Sequence, residues 1–241
     1  MVILIGAYLI SMIPAAAMYF WLKNGMKKPA DEDYKKTCRS ALMNGFLSTV
    51  AVLPVSLAFT ILLNFLGLKD HSSFLAAALH DFFVLAFAEE LVKSLMLRKT
   101  LKNTEYNYSW LDMIVFMVVV SLGFEVLESL IYVVGANVGQ ILIRGILLMH
   151  GGFGFIEGWF YGKAAYTGKK SYAVIGFLIA WILHGAYDFG LSDEFAALGE
   201  WSAIVSVSIA ALSLVIFIVM IIFFAKKNKK QEYLEPLAEN E

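Results

Sequence analysis

Apolar residues in this chain neither alternate nor keep to a single helical stripe. They run on in blocks of about 20, long enough at about 1.5 Å per residue to cross a hydrocarbon core of about 30 Å. Seven such blocks stand at 2–22, 40–66, 74–97, 111–134, 138–162, 171–190 and 201–225. A segment in lipid must satisfy its own backbone hydrogen bonds, and the ten-residue alternation of barrel strands is missing, so the blocks predict helices. The expected fold is an all-α, polytopic transmembrane helix bundle. It forms one integral-membrane domain over 1–225, followed by a charged cytoplasmic tail at 226–241.

Composition excludes a soluble globule. Of 241 residues 60% are hydrophobic and 16% charged, against about a quarter charged in soluble domains, and the mean hydropathy is +0.72. With short connections between the blocks there is no room for a separate soluble catalytic domain. The net charge of −1 gives no reason to expect a nucleic-acid partner; placement of charge says more. Lys and Arg cluster at 23–39, 98–102, 163–170 and 226–230, which account for 16 of the 19. With seven spans all four clusters fall on one side, so the positive-inside rule puts the N-terminus outside and the C-terminus in the cytoplasm, in the plasma membrane. Six cations follow the first block and none precedes it, so that block is read as an uncleaved helix. Cys38 stands alone, excludes an internal disulfide and is read as an inert loop thiol.

The ionisable residues left inside the blocks are Asp81, Glu89, Glu90, Lys93, Glu125, Glu128, Arg144, His150, Glu157, His184 and Asp188. Each costs about 2.5–3.5 kcal/mol near a helix centre, so they should face one another around a polar cavity. Glu89 and Glu90 lie four and three residues before Lys93, which can neutralise one of them and leave the other free to titrate. Glu125 and Glu128 share a face, as do His184 and Asp188, a spacing at which a carboxylate fixes an imidazole tautomer. Counting residues from the span midpoints places His150 and Glu89 near the midplane, with Glu128 and His184 about 6–9 Å toward the outside. Gly154, Gly158 and Gly162 make a run of small residues for close helix packing. Arg144 and Asp81 are read as snorkelling or pairing residues near the outer boundary, and Glu157 as a pairing residue outside the core site. The five Trp residues are read as interface anchors or packing.

Paired carboxylates, a further Glu and two His on different helices are the parts needed to activate water, which points to hydrolysis. No serine sits in a Gly-x-Ser-x-Gly elbow, and there is neither a His-Glu-x-x-His zinc motif nor a phosphate loop. Chains of Asp, Glu and His also relay protons in transporters, and a non-catalytic scaffold can keep a polar core for helix association. Both remain alternatives. A transporter should show inverted repeats and broken helix pairs, which are not evident here.

Four motifs in order, each on its own predicted span, resemble the PrsW family of intramembrane proteases: Glu89-Glu90-x-x-Lys93, Gly123-Phe124-x-x-x-Glu128, His150, and His184-Gly-x-x-Asp188-Phe189. They are more distantly similar to the CAAX prenyl-protease and bacteriocin-processing group. The resemblance spans about 74–190 and implies a protease that cuts a membrane-anchored protein near the outer face, as the founding member cuts an anti-sigma factor. It implies that Glu89 and Glu90 supply the general base. Glu128, His150 and His184 would complete the catalytic set, with Lys93, Phe124 and Asp188 in support and Asp188 orienting His184. Ser129 stands where the family usually has Asn, and Glu125 is an additional carboxylate.

Two routes stay open. Glu128, His150 and His184 can hold a divalent metal such as zinc, which makes a metalloprotease. Alternatively a carboxylate activates water and the His residues donate to the oxyanion, which makes a glutamate protease. The lack of a short-spaced chelate favours the second.

Overall fold

A computed structural model describes residues 2–25, 32–69 and 73–230. Lys27 and Lys28 of the first basic cluster and residues 231–241 of the expected tail lie outside them. The described residues form helices without a strand: α1 (Val2–Ser11), α2 (Ile13–Gly25), α3 (Glu32–Phe65), α4 (Phe74–Leu79), a π-helical segment (His80–Phe87), α5 (Ala88–Lys102), α6 (Trp110–Tyr132), α7 (Val138–Leu147), α8 (Met149–Thr167), α9 (Ser171–Gly190), α10 (Asp193–Ala196) and α11 (Glu200–Lys230). Six helical stretches are long and apolar enough to cross a membrane, and they match six of the seven expected blocks. The block at 74–97 is built as α4, the π segment and α5, none of them long enough by itself to cross a membrane.

Lipid tails are as apolar as leucine, so helices in a bilayer associate through close packing and polar contacts rather than through escape from water. The centre of the bundle follows this rule. In α6 the run Ile114–Val120 is wholly buried, and the helix packs chiefly between α3 and α8. Gly45 and Gly123 let α3 and α6 touch backbone to backbone: a Cβ on Gly45 would lie 2.9 Å from Gly123 Cα. The expected small-residue run on α8 lies on α6, with Gly154 against Ser121, Gly158 against Ile114 and Met117, and Gly162 against Trp110. Asn44 Nδ2 donates to Thr100 Oγ1 at 2.8 Å, tying α3 to α5.

Three local features depart from the expected pattern. Cys38 is not a loop thiol; it is fully buried inside α3, whose start is drawn back to Glu32 by acids suited to a first turn and a Lys35–Glu32 pair at 2.8 Å. The block at 138–162 is not one helix: Leu148 takes φ 43° and ψ 49°, ending α7 and starting α8. A left-handed conformation at a non-glycine residue costs about 1–2 kcal/mol and is kept where the surroundings impose it. The π segment leaves carbonyls to outside donors. Trp181 Nε1 donates to Phe82 O at 2.5 Å, and Ser56 Oγ to Val84 O at 2.6 Å, so α9 and α3 clamp it from two sides.

Candidate active site

The break at Leu148 decides where His150 points. A helix start carries backbone N–H groups with no intrahelical partner, and in α8 one of these is met by Glu125: His150 N donates to Glu125 Oε2 at 3.2 Å. The additional carboxylate seen in the sequence thus caps α8 from within the bundle. His150, 3% exposed, then lies between two charged residues, its Nε2 2.6 Å from Glu128 Oε2 and its Nδ1 3.1 Å from Lys93 Nζ. Phe124 packs edge-on to the imidazole at 5.0 Å and lies 4.9 Å under the Lys93 ammonium.

Lys93 and Glu90 are wholly buried. Lys93 Nζ donates to Glu90 Oε1 at 2.6 Å, and the same oxygen lies 2.6 Å from His184 Nδ1. His184 Nε2 faces Asp188 Oδ2 at 3.3 Å and Glu89 Oε2 at 3.7 Å. Of the adjacent glutamates, therefore, Glu90 is the one Lys93 neutralises, while Glu89 keeps a buried Oε2 without a hydrogen-bond partner. Phe153 stacks on His184 at 5.0 Å, and the two imidazoles meet nearly at right angles, also at 5.0 Å.

Arg144 pairs with Glu128 Oε2 and covers the Tyr132 ring at 4.0 Å, so the pairing expectation describes it and snorkelling does not. Glu157 accepts from Ser94 Oγ at 3.2 Å and Tyr161 Oη at 3.3 Å, two helical turns along α8 from His150. A pocket of about 10 Å³, lined in part by Glu125, His150 and His184, has room for about one water. Arg144, Tyr187 and Asp188 line both it and a cavity of about 720 Å³. Asp81, expected at the boundary, is buried and lines the larger cavity.

Four helices, α5, α6, α8 and α9, thus bring together Glu89, Glu90, Lys93, Phe124, Glu128, His150, His184 and Asp188. Ligating atoms of Glu89, His150 and His184 all lie within 4.8 Å of one another. A carboxylate and two imidazoles, with one position left open, are a common set for catalytic zinc, and the unpartnered Glu89 oxygen suits a cation. Glu128, also a candidate ligand from the sequence, meets His150 and Arg144 through its Oε2.

A profile of the family described as "PrsW family intramembrane metalloprotease" matches residues 37–225. The chain is 29% identical over 194 residues to Protease PrsW of Bacillus subtilis (strain 168), covering 78% of this chain and 80% of that protein. It is 25% identical over 237 residues to Protease PrsW of Clostridioides difficile (strain 630), covering 94% and 91%. Protease PrsW of Shouchella clausii (strain KSM-K16) is 31% identical over 157 residues, 62% and 67%. No solved structure matches the chain significantly. With a profile match over most of its length and apolar helices that fit a multi-pass protein of the cell membrane, the chain belongs to the PrsW family of intramembrane proteases.

Proposed function

We propose that the protein hydrolyses a peptide bond of a membrane-anchored protein substrate at the centre formed by Glu89, His150 and His184, within a single membrane domain over 1–225. The observation that carries this reading is the convergence of those three buried groups beside a water-sized pocket that adjoins a much larger cavity. Regulated cleavage of an anti-sigma-factor-like substrate, implied by the resemblance, is part of the proposal. So are seven spans with the N-terminus outside.

Glu89, His150 and His184 would hold a divalent cation such as zinc. When bound, such an ion polarises the scissile carbonyl and lowers the pKa of water. Glu90 accepts the Nδ1–H of His184 and so turns Nε2 toward Glu89. Lys93 donates to the same Glu90 oxygen and holds that carboxyl in place. The hydrophobic ring of Phe153 on His184 limits the imidazole to one plane.

One observation favours a metal-free alternative: both ring nitrogens of His150 are already engaged, by Lys93 and by Glu128. In that route Glu89 Oε2, free of hydrogen bonds, takes the proton of the attacking water. His184, whose Nε2 faces Glu89 and Asp188, donates from Nε2 to the carbonyl oxygen as negative charge develops there.

Metal content of the detergent-purified protein, with cleavage of a co-expressed single-span reporter, separates the routes. Stoichiometric zinc that is lost in Glu89→Gln, His150→Ala and His184→Ala supports the first. Chelator-resistant cleavage by metal-free protein supports the second. Cleavage at the wild-type rate in both Glu89→Gln and His184→Ala would overturn the proposal.

A further inference from the structure

We propose that Asp81 is a specificity-determining residue: the 720 Å³ cavity receives the substrate's peptide segment, and Asp81 binds a lysine or arginine side chain near the scissile bond. This rests on the peptidase reading above.

The cavity is placed for the role. It shares Arg144, Tyr187 and Asp188 with the water-sized pocket at His150 and His184, so a chain lying in it runs up to the reacting centre. Its volume lies within the range of pockets that enclose a ligand of several residues' bulk.

The acidic, basic and imidazole side chains lining it are His80, Asp81, Arg144 and Asp188. Arg144 is committed to Glu128 and to the Tyr132 ring, and Asp188 lies 3.3 Å from His184. Asp81 is different. It is 4% exposed, its Oδ1 meets His80 Nδ1 at 3.1 Å, and its Oδ2 is buried without a hydrogen-bond partner. A carboxylate oxygen left without a donor in a membrane protein is destabilising, and such residues are usually kept for what they bind. A cationic side chain entering the cavity supplies the missing donor and charge.

The backbone that carries Asp81 is also unusual. Asp81 sits in the first turn of the π segment, a conformation rare in proteins and common near functional sites. Trp181 and Ser56 bond the Phe82 and Val84 carbonyls, which holds the turn against α9 and α3. Asp81 is therefore presented on a clamped backbone, eight residues before Glu89 on the same stretch of chain.

The test uses the full-length protein and a panel of single-span membrane reporters with a randomised juxtamembrane segment, cut sites being read by mass spectrometry. Wild type should favour Lys or Arg over Glu near the cut by about tenfold or more, the scale of a hydrogen bond to a charged group. Asp81→Asn should bring that ratio close to one, Asp81→Lys should reverse it, and Asp81→Glu should keep it. A merely structural role lowers cleavage of every reporter alike and leaves the ratio unmoved. Glu89-dependent cleavage with the same Lys-to-Glu ratio in wild type and Asp81→Asn, or no preference in wild type, would overturn this inference and spare the peptidase reading. A panel that wild type cuts no better than Glu89→Gln would overturn both.

Discussion

Lys93 joins the two halves of the site, and replacing it with methionine isolates what its charge does. The side chain is wholly buried, with Nζ 2.6 Å from Glu90 Oε1, 3.1 Å from His150 Nδ1 and 4.9 Å from the centre of the Phe124 ring. Methionine keeps most of the volume and removes the ammonium. Glu90 is then a buried carboxylate held by His184 alone, its Oε2 having no other partner. Removing one member of a buried ion pair costs about 3–5 kcal/mol. At about 2–4 °C per kcal/mol for a chain of this size, the thermal midpoint should fall by about 6–20 °C. Neutralising both partners in Lys93→Met with Glu90→Gln should recover most of the loss, because no uncompensated charge remains. Cleavage should behave differently: His150 has lost its donor in both variants, so activity stays down by about 10–100-fold in each. The assay is thermal unfolding of the wild type, both single variants and the double variant in one detergent, with reporter cleavage alongside. A loss below about 1 kcal/mol for Lys93→Met, or additive effects in the double variant, would refute the reasoning.

Other expectations rest on separate contacts. Glu125→Ala removes the cap on α8 and should cost about 0.5–2 kcal/mol in thermal unfolding, whereas Glu125→Gln retains an acceptor and should cost less. Gly45→Val places side-chain atoms against the α6 backbone, and the protein should lose its single symmetric peak in size-exclusion chromatography. Arg144→Leu leaves Glu128 with His150 alone and should lower cleavage. Arg144→Lys should restore part of it, since an ammonium pairs with the carboxylate but lacks the planar stack on Tyr132. A C-terminal green fluorescent protein fusion should fluoresce and a C-terminal alkaline phosphatase fusion should be inactive; the reverse result refutes a cytoplasmic C-terminus.

Much of this protein could be read from its sequence because the governing constraints are local. Continuous apolar blocks demand helices in lipid. Residues three or four apart must share a helix face, so Glu89, Glu90 and Lys93, and likewise His184 and Asp188, were bound to act as groups. Glycines every fourth residue on α8 had to sit where another helix comes close, and they lie against α6. Other features lay beyond such reasoning. Spacing could not say which glutamate Lys93 neutralises, since both are within reach on one helix; the position of His184 on α9 made it Glu90. Nothing local marks Leu148 as left-handed, because the residue type disfavours that conformation, yet it divides α7 from α8 and exposes the His150 N–H to Glu125. Asp81 and Arg144 looked alike as polar residues near a span end, whereas packing gave Arg144 a partner and left Asp81 Oδ2 without one. Helix periodicity determines which side chains of one helix stand together. Distances between helices depend on how their surfaces fit, and the site lies between helices.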